Sequence, residues 1–455
     1  MGTDGDVAVI GAGLAGLAAA RRLAAAGREP IVFEATDRVG GRQRTSELGG
    51  TVFEQGAVFF GDNYPNLRSL VSSGGLEHDM KPYDVVRMRS TTGTRSAPSG
   101  LMPLLRTPAL PWKEKGALLA LGVRLTPHLR QIRNMLGHPV TAGWLLKLDR
   151  TDAQSWFGSR VGDRFTDSIV SPVLESLSFA AAPEWSALGA LMLMAFSASR
   201  HLYGLRNGLD QIARSMAAEL TVKTGSPVTS LGFDCRGVNV EISNGAAAGG
   251  TAGRAPQTGD GVNVEISNGA AAGRLRFRDV VVALPGPHAA SLLEGPLAEA
   301  IGAIRYSSSV VPAITVDALP TEVPATSFYE DTGDNPISGL AIERPRPDGP
   351  IICFAAIRPP WKQDLLEAGD DEAVGLLIDV LEKDLGSRPE PTASAVARWR
   401  YAVPVGEPGL LGRQRQVLRL ASEVPHLSLA GDWLVSPSQE GAIVSGQRAA
   451  RALVP

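Results

Sequence analysis

Three glycines, Gly11, Gly13 and Gly16, stand at G-x-G-x-x-G spacing between the apolar run Val7-Ala8-Val9-Ile10 and an Ala/Leu-rich stretch that stops at Gly27. A second apolar run, Ile31-Val32-Phe33, ends on Glu34. The chemistry that such spacing serves is the holding of a dinucleotide. Gly11 permits a tight turn, Gly13 lets the backbone approach a pyrophosphate with no Cβ in the way, and Gly16 lets a helix pack closely on a sheet. Leu14 and Ala15 open that helix, whose free N–H groups and partial positive charge face the phosphates. A carboxylate at Glu34 stands where it can accept hydrogen bonds from a ribose. The chain holds 51 glycines, so the triplet alone says little. Its strand–turn–helix–strand–acid setting gives it meaning.

Ala35 follows, then Asp37-Arg38-Val39-Gly40-Gly41-Arg42 and Thr45. Two adjacent glycines bring a second loop against the same diphosphate, with Arg42 as counter-charge. Together, GAGLAGLAAARRL and FEATDRVGGRQRT resemble the flavin-binding head of the amine oxidase, protoporphyrinogen oxidase and phytoene desaturase superfamily. The spacing gives a dinucleotide; the resemblance implies that it is FAD.

The resemblance carries further positions with it. Gly56, Ala57 and Val58 lie in a segment that runs past the isoalloxazine ring, and Phe59 lines the substrate side. At Val228 the backbone touches the adenine. Near the end of the chain, Gly431 and Asp432 meet the ribitol and diphosphate. Gln439, Gly441 and Ala442 open a helix whose N-terminus faces the flavin N1–C2=O edge, where reduced flavin gathers negative charge. Ala397-Arg398-Trp399-Arg400-Tyr401 resembles the segment that brings aromatic side chains toward the flavin, so Trp399 and Tyr401 are pocket-wall candidates. The stretch from Ser171 to Ala187 resembles the protoporphyrinogen oxidase and desaturase branches, and the GDW…EGA…SG form is similar to desaturases and hydroxysqualene dehydroxylases.

Two absences narrow the chemistry. Amine oxidases carry a lysine soon after the strand at 276–285, and here no lysine occurs between Lys223 and Lys362. Those with covalent flavin carry a cysteine just after the aromatic segment. Val405-Gly406-Glu407-Pro408-Gly409 has none, so the FAD is expected to be non-covalent. His288 is the tempting base, but a histidine following a proline turn reads better as a cap or a solvent-facing residue. No catalytic acid or base is assigned.

With 455 residues the chain exceeds one simple core. The elements that must position these residues form a doubly wound α/β, Rossmann-like FAD-binding domain with an interleaved α+β substrate domain. The first is expected from 1–76, 203–310 and 419–455, the second from 77–202 and 311–418. Within the second, 77–200 reads as mostly helical. A 13-residue segment, GVNVEISNGAAAG, occurs at 237–249 and again at 261–273. We read 237–273 as a duplicated surface hairpin, one copy pairing in the sheet, and assign it no chemistry.

Composition bounds the rest. A net charge of −3 gives no reason to expect nucleic acid as a partner. Two cysteines, Cys235 and Cys353, fit a reducing cytoplasm, and no His/Cys cluster suggests a metal. The first strand starts so early that no signal peptide is expected. The segment 101–135 is basic and leucine-rich, which suits contact with a membrane surface. Pro108, Pro111 and Pro127 interrupt it and favour a solvated helix pair over the pocket instead. The resemblance implies dehydrogenation of a hydrophobic small molecule, with oxygen, a quinone or another acceptor taking the electrons. Three alternatives stay open: an amine or amino-acid oxidase without the usual lysine, a flavin-dependent isomerase or dehydroxylase of isoprenoids, and a non-enzymatic flavoprotein scaffold.

Overall fold

In the computed structural model the described residues are 5–83, 86–90, 93–96, 105–106, 108, 110–128, 143–197, 201–242, 273–320, 326–346, 348–359 and 361–454. The run Val7–Ile10 lies in the strand Gly5–Ile10, inside a seven-stranded sheet. Pro30–Phe33 and then Thr221–Lys223 pair parallel on one side, and Gly273–Val282 pairs parallel on the other. Leu427–Leu429 pairs parallel with the end of Gly273–Val282, whose beginning carries the antiparallel strands Gly237–Ile242 and Val228–Asp234.

Unbroken apolarity in the first strand follows from cover on both faces. Val7 and Val9 pack with Leu17, Ala20 and Ile443 on one side of the sheet. Ala8 and Ile10 pack with Phe277, Ile301 and Trp433 on the other. The helices Leu14–Ala25 and Gln439–Ala452 cross so closely that a Cβ on Gly446 would run into the Ala15 carbonyl.

A second seven-stranded sheet follows the order Ala393–Pro404, Tyr306–Val316, Ile351–Ile357, Ile337–Glu343, Thr326–Tyr329, Val86–Ser90, Gly93–Ser96. The helix Asp370–Leu385 covers one face through Ala373, Leu377 and Leu381. A helical layer, including Trp112–Leu125, Ala153–Arg160, Ser171–Ser178 and Ala187–Ser197, has its own core around Trp156, Phe165, Leu174 and Trp185.

Most described residues between 77 and 197 are helical, as the sequence reading has it, but those from 80 to 96 are strands instead. Met80–Tyr83 pairs with Leu202–Leu205, and Val86–Ser90 and Gly93–Ser96 complete an edge of the second sheet; the described helices after these strands lie from residue 105 on. Val86-Arg87-Met88-Arg89 alternates at strand period, and the parallel pairing with Thr326–Tyr329 uses it. The strand Tyr306–Val316 is continuous across position 310, and Leu410, Val417 and Ala421 of the helix Leu410–Ser422 pack in the core beneath the first sheet. Of the duplicated segment, Gly237–Ile242 pairs on both sides; residues 243–272 lie outside the described residues.

Candidate flavin site

The parallel strands of the first sheet all end on one edge. There Ile10 leads to Gly11, Phe33 to Glu34, Val282 to Ala283 and Leu429 to Ala430-Gly431-Asp432. The crevice outside the carboxyl ends of parallel strands is where open α/β sheets bind ligands.

Each glycine of the triplet has its own role. Gly11 has φ +100°, and a Cβ there would stand 2.8 Å from the Ala283 carbonyl oxygen. A Cβ on Gly16 would run into the Gly11 carbonyl, so Gly16 serves the packing of helix on turn. Gly13 differs: a Cβ there would meet nothing within 4 Å. It is the N-cap of Leu14–Ala25, supplies no side-chain cap, and no acidic residue occupies the first turn at Leu14, Ala15 and Gly16. Helix N–H groups facing open space form a cradle for an anion. The residues present therefore fit a dinucleotide diphosphate.

The second loop meets the first. Gly40 donates its N–H to the Ala12 carbonyl at 2.8 Å and has φ +113°. A Cβ on Gly41, at φ +57°, would lie 3.3 Å from Gly13 Cα. Glu34 Oε2 accepts from the Ala12 N–H at 2.8 Å, while Oε1 accepts from Thr36 N–H and Oγ1. These bonds fix the carboxylate at the sheet edge and leave acceptor capacity for a ribose. Ala35 is exposed beside it. Ser226 donates its N–H to the Glu34 carbonyl, which brings the start of Val228–Asp234 to the same end.

Arg42 departs from the role of a free counter-charge to phosphate. Its Nη2 donates to Asp432 Oδ1 at 2.7 Å and its Nη1 to the Ala402 carbonyl at 2.9 Å. The guanidinium also stands 6.0 Å from the Tyr306 ring centroid. An acidic residue within reach satisfies the cation inside the protein. Gly441 also differs from expectation. Its N–H donates to Ser438 Oγ at 2.9 Å, and a Cβ there would press on Ser436, so the glycine answers to a tight turn. Gln439 bridges instead, donating to the Phe59 carbonyl and accepting from Gln43 Nε2, each at 2.8 Å. Ala442 donates its N–H to the Ser438 carbonyl.

The wall candidates divide into two groups. Trp399 donates its indole N–H to the Gln55 carbonyl at 2.6 Å, next to Gly56, Ala57 and Val58. Phe59 packs against Tyr83 with ring centroids 5.5 Å apart. Tyr401 forms the second group: it stands edge-on to His288 at 5.2 Å and to Tyr306 at 5.8 Å, and the Tyr306 ring in turn lies by the Arg42 guanidinium that pairs with Asp432. Burial pushes the His288 imidazole pKa down. Tyr306, whose hydroxyl accepts from the Gly286 N–H, and Lys362 have no role assignable from the sequence; neither sits in a local motif. Among the described residues no group of three His, Cys, Asp or Glu side chains could hold a metal, and no helix is long and apolar enough to cross a membrane.

The chain belongs to the flavin-containing amine oxidoreductase family, which it matches over residues 14–454. Members of this family are FAD-dependent oxidoreductases, and FAD is the cofactor of this chain. Putrescine oxidase of Kocuria rosea is 49% identical over 72 residues, 16% of this chain and 15% of that protein. A 15-cis-phytoene desaturase of Solanum lycopersicum is 28% identical over 190 residues, 38% of this chain and 30% of its own. These matches thus span well under half of those relatives. Among solved structures, a protein of Exiguobacterium sp. 255-15 assigned as a protoporphyrinogen oxidase superposes with TM-score 0.72 at 16% identity, covering 99% of both chains. These likenesses confirm the α/β fold expected from the sequence.

Proposed function

We propose that this protein dehydrogenates a hydrophobic small molecule, forming a C=C or C=N bond, and holds its FAD non-covalently. Held in this way, FAD would supply a hydride acceptor, with oxygen, a quinone or another acceptor as the final electron sink. The protein's part is to hold the reacting carbon against the ring and to keep water away. The observation that carries the reading is the Trp399–Gln55 bond, which fixes an aromatic strand against the segment Gly56–Val58. That segment is the one we assign to the isoalloxazine ring, with Gly13, Glu34, Gly40 and Gly41 assigned to the diphosphate and adenosine end. This division gives cofactor binding to the first sheet and substrate binding to the second sheet and the helices.

An amine oxidase is disfavoured by the residues of Tyr306–Val316, which include no lysine. Lys362 comes from another element, and its ammonium donates to the Phe179 and Ser308 carbonyls. Anaerobic titration of the yellow protein with a porphyrinogen, a polyene precursor and a panel of amines tests the reading. Bleaching by a porphyrinogen or polyene supports it, and bleaching by small polar amines alone, with neither of these active, overturns it.

A contact with anionic lipid belongs to the same reading. Trp112, Leu119 and Val123 are exposed on the helix Trp112–Leu125, with Lys113 and Arg124 exposed beside them. Glu114 is turned inward onto the Arg164 and Phe165 N–H groups. Residues 129–135 of the basic segment lie outside the described residues. Co-sedimentation with phosphatidylserine vesicles that survives Trp112→Ser with Val123→Ser would refute this contact.

A further inference from the structure

The ladder between Tyr306–Val316 and Ala393–Pro404 contains a large irregularity. Ser307 pairs with Val403, and the next pair is Ser309 with Trp399. One residue, Ser308, therefore faces three: Arg400, Tyr401 and Ala402. Such a mismatch takes carbonyl groups out of the ladder and re-aims the side chains around it. Buried carbonyls released in this way require donors from elsewhere.

Two cationic side chains from distant elements supply them. Arg42 donates to the Ala402 carbonyl at 2.9 Å. Lys362 donates to the Ser308 carbonyl at 3.2 Å and also to the Phe179 carbonyl. Phe179 ends the helix Ser171–Ser178 at φ 56°, a left-handed conformation uncommon for a residue with a side chain. Ser307 Oγ ties the same two elements, donating to the Ser178 carbonyl at 2.6 Å. Lys362 thus joins the bulge to the end of the helical wall.

The lysine is a costly choice for that task. It is 8% exposed, and burial pushes its pKa down to about 8, although Glu184 and Glu175 oppose the shift. Both carboxylates have partners of their own, Arg305 for Glu184 and Arg358 for Glu175. An apolar side chain of similar length would fill the volume without desolvating an ammonium. What the amine adds is a pair of N–H donors aimed at two carbonyls.

We propose that Lys362 is a positioning residue that closes this bulge and thereby holds Trp399 and Tyr401 in their places beside the flavin. The inference rests on the reading of Trp399 and Tyr401 as flavin-side residues. Arg42 holds the Ala402 side of the bulge, and Lys362 holds the Ser308 side. Loss of the lysine leaves the backbone of 399–403 free to settle into another register, with the indole drawn off the Gln55 carbonyl.

The test uses the FAD-loaded protein and needs no substrate. Tryptophan and tyrosine beside an isoalloxazine quench its emission by electron transfer, so emission and visible circular dichroism of bound FAD report where those rings stand. Lys362→Met is expected to keep its FAD while bound-flavin emission rises severalfold, a rise expected in Trp399→Phe as well. Lys362→Arg, which keeps donors in place, is expected to return emission toward the parent value. If Lys362→Met fails to retain FAD, Lys362→Gln carries the test with a donor of shorter reach and an intermediate rise. Parent-like emission in every Lys362 variant, alongside altered emission in Trp399→Phe, overturns the proposal and leaves the aromatic-wall reading intact. Unchanged emission in Trp399→Phe and Tyr401→Phe as well overturns the wall reading itself.

Discussion

Arg42 Nη2 lies 2.7 Å from Asp432 Oδ1, across 390 residues of sequence, and closes the glycine loop onto the last turn before the final helix. The Asp432 side chain is 8% exposed and that of Arg42 29%. The same carboxylate oxygen accepts the Trp433 N–H at 3.1 Å, which holds it in place. Cofactor loop and C-terminal strand are therefore one electrostatic unit.

Removing the cation from this unit leaves a buried carboxylate without its partner. Arg42→Met is expected to weaken FAD retention by about tenfold or more, since truncating one member of a desolvated pair costs a few kcal/mol. Dilution of the loaded protein and the rise of free-flavin fluorescence measure this. Asp432→Asn in the Arg42→Met background should recover melting temperature, because it removes the uncompensated charge. Undiminished FAD retention in Arg42→Met would place the pair outside the cofactor site.

Gly13 and Gly16 answer to different demands, and one substitution at each separates them. Gly13→Ser puts its side chain into open space and adds an N-cap acceptor, so folding stability should hold or rise by about a few tenths of a kcal/mol. FAD binding should fail, because the hydroxymethyl group occupies the cradle and takes a helix N–H. Gly16→Ala drives a methyl into the Gly11 carbonyl, and a loss of about 2 kcal/mol or more in chemical denaturation is expected from such overpacking. A Gly13→Ser protein that binds FAD normally would show that the diphosphate lies elsewhere.

Glu54 gives stability a pH dependence. It is buried, its two oxygens accept from Thr45 Oγ1 and the Leu209 N–H at 2.7 Å each, and burial pushes its pKa up to about 8. The folded pKa lies above the unfolded one, so the folded state binds more protons in between. The contribution is fully present below about pH 4.5 and is lost as pH rises through about 8. A tenfold difference in proton affinity between folded and unfolded chains corresponds to about 1.4 kcal/mol, so denaturation midpoints should fall measurably from about pH 5 to about pH 8. Glu54→Gln, which stays neutral, should flatten that slope. An equal slope in both proteins would assign the dependence to other groups.

The parts of this site legible in the sequence are those set by local backbone demands. Gly11, Gly40 and Gly41 all adopt positive φ, and Glu34 ends its strand at the sheet edge, so spacing alone locates them. Arg42 and Asp432 were each recognisable, but their pairing depends on two distant segments meeting in space. Lys362 had no signal at all. Its role exists only through a three-against-one mismatch between strands that begin 87 residues apart, at Tyr306 and Ala393. The strands at 80–90 were hidden for another reason: they are short, and they pair with 202–205 and 326–329 far along the chain, while 93–96 only completes a local hairpin with 86–90.

The duplicated segment makes the last prediction. Deleting 244–267 joins Ser243 to Asn268 and restores one uninterrupted GVNVEISNGAAAG. The strand pairs from Val238 to Ile242 and the start of Gly273–Val282 are untouched. Shortening the connection lowers the entropy lost on closing it, a gain of about 1 kcal/mol for a flexible loop. Melting temperature is therefore expected to stay level or rise slightly, with FAD content and flavin emission unchanged. A deletion protein that loses FAD, or melts well below the parent, would give the second copy a part in the fold.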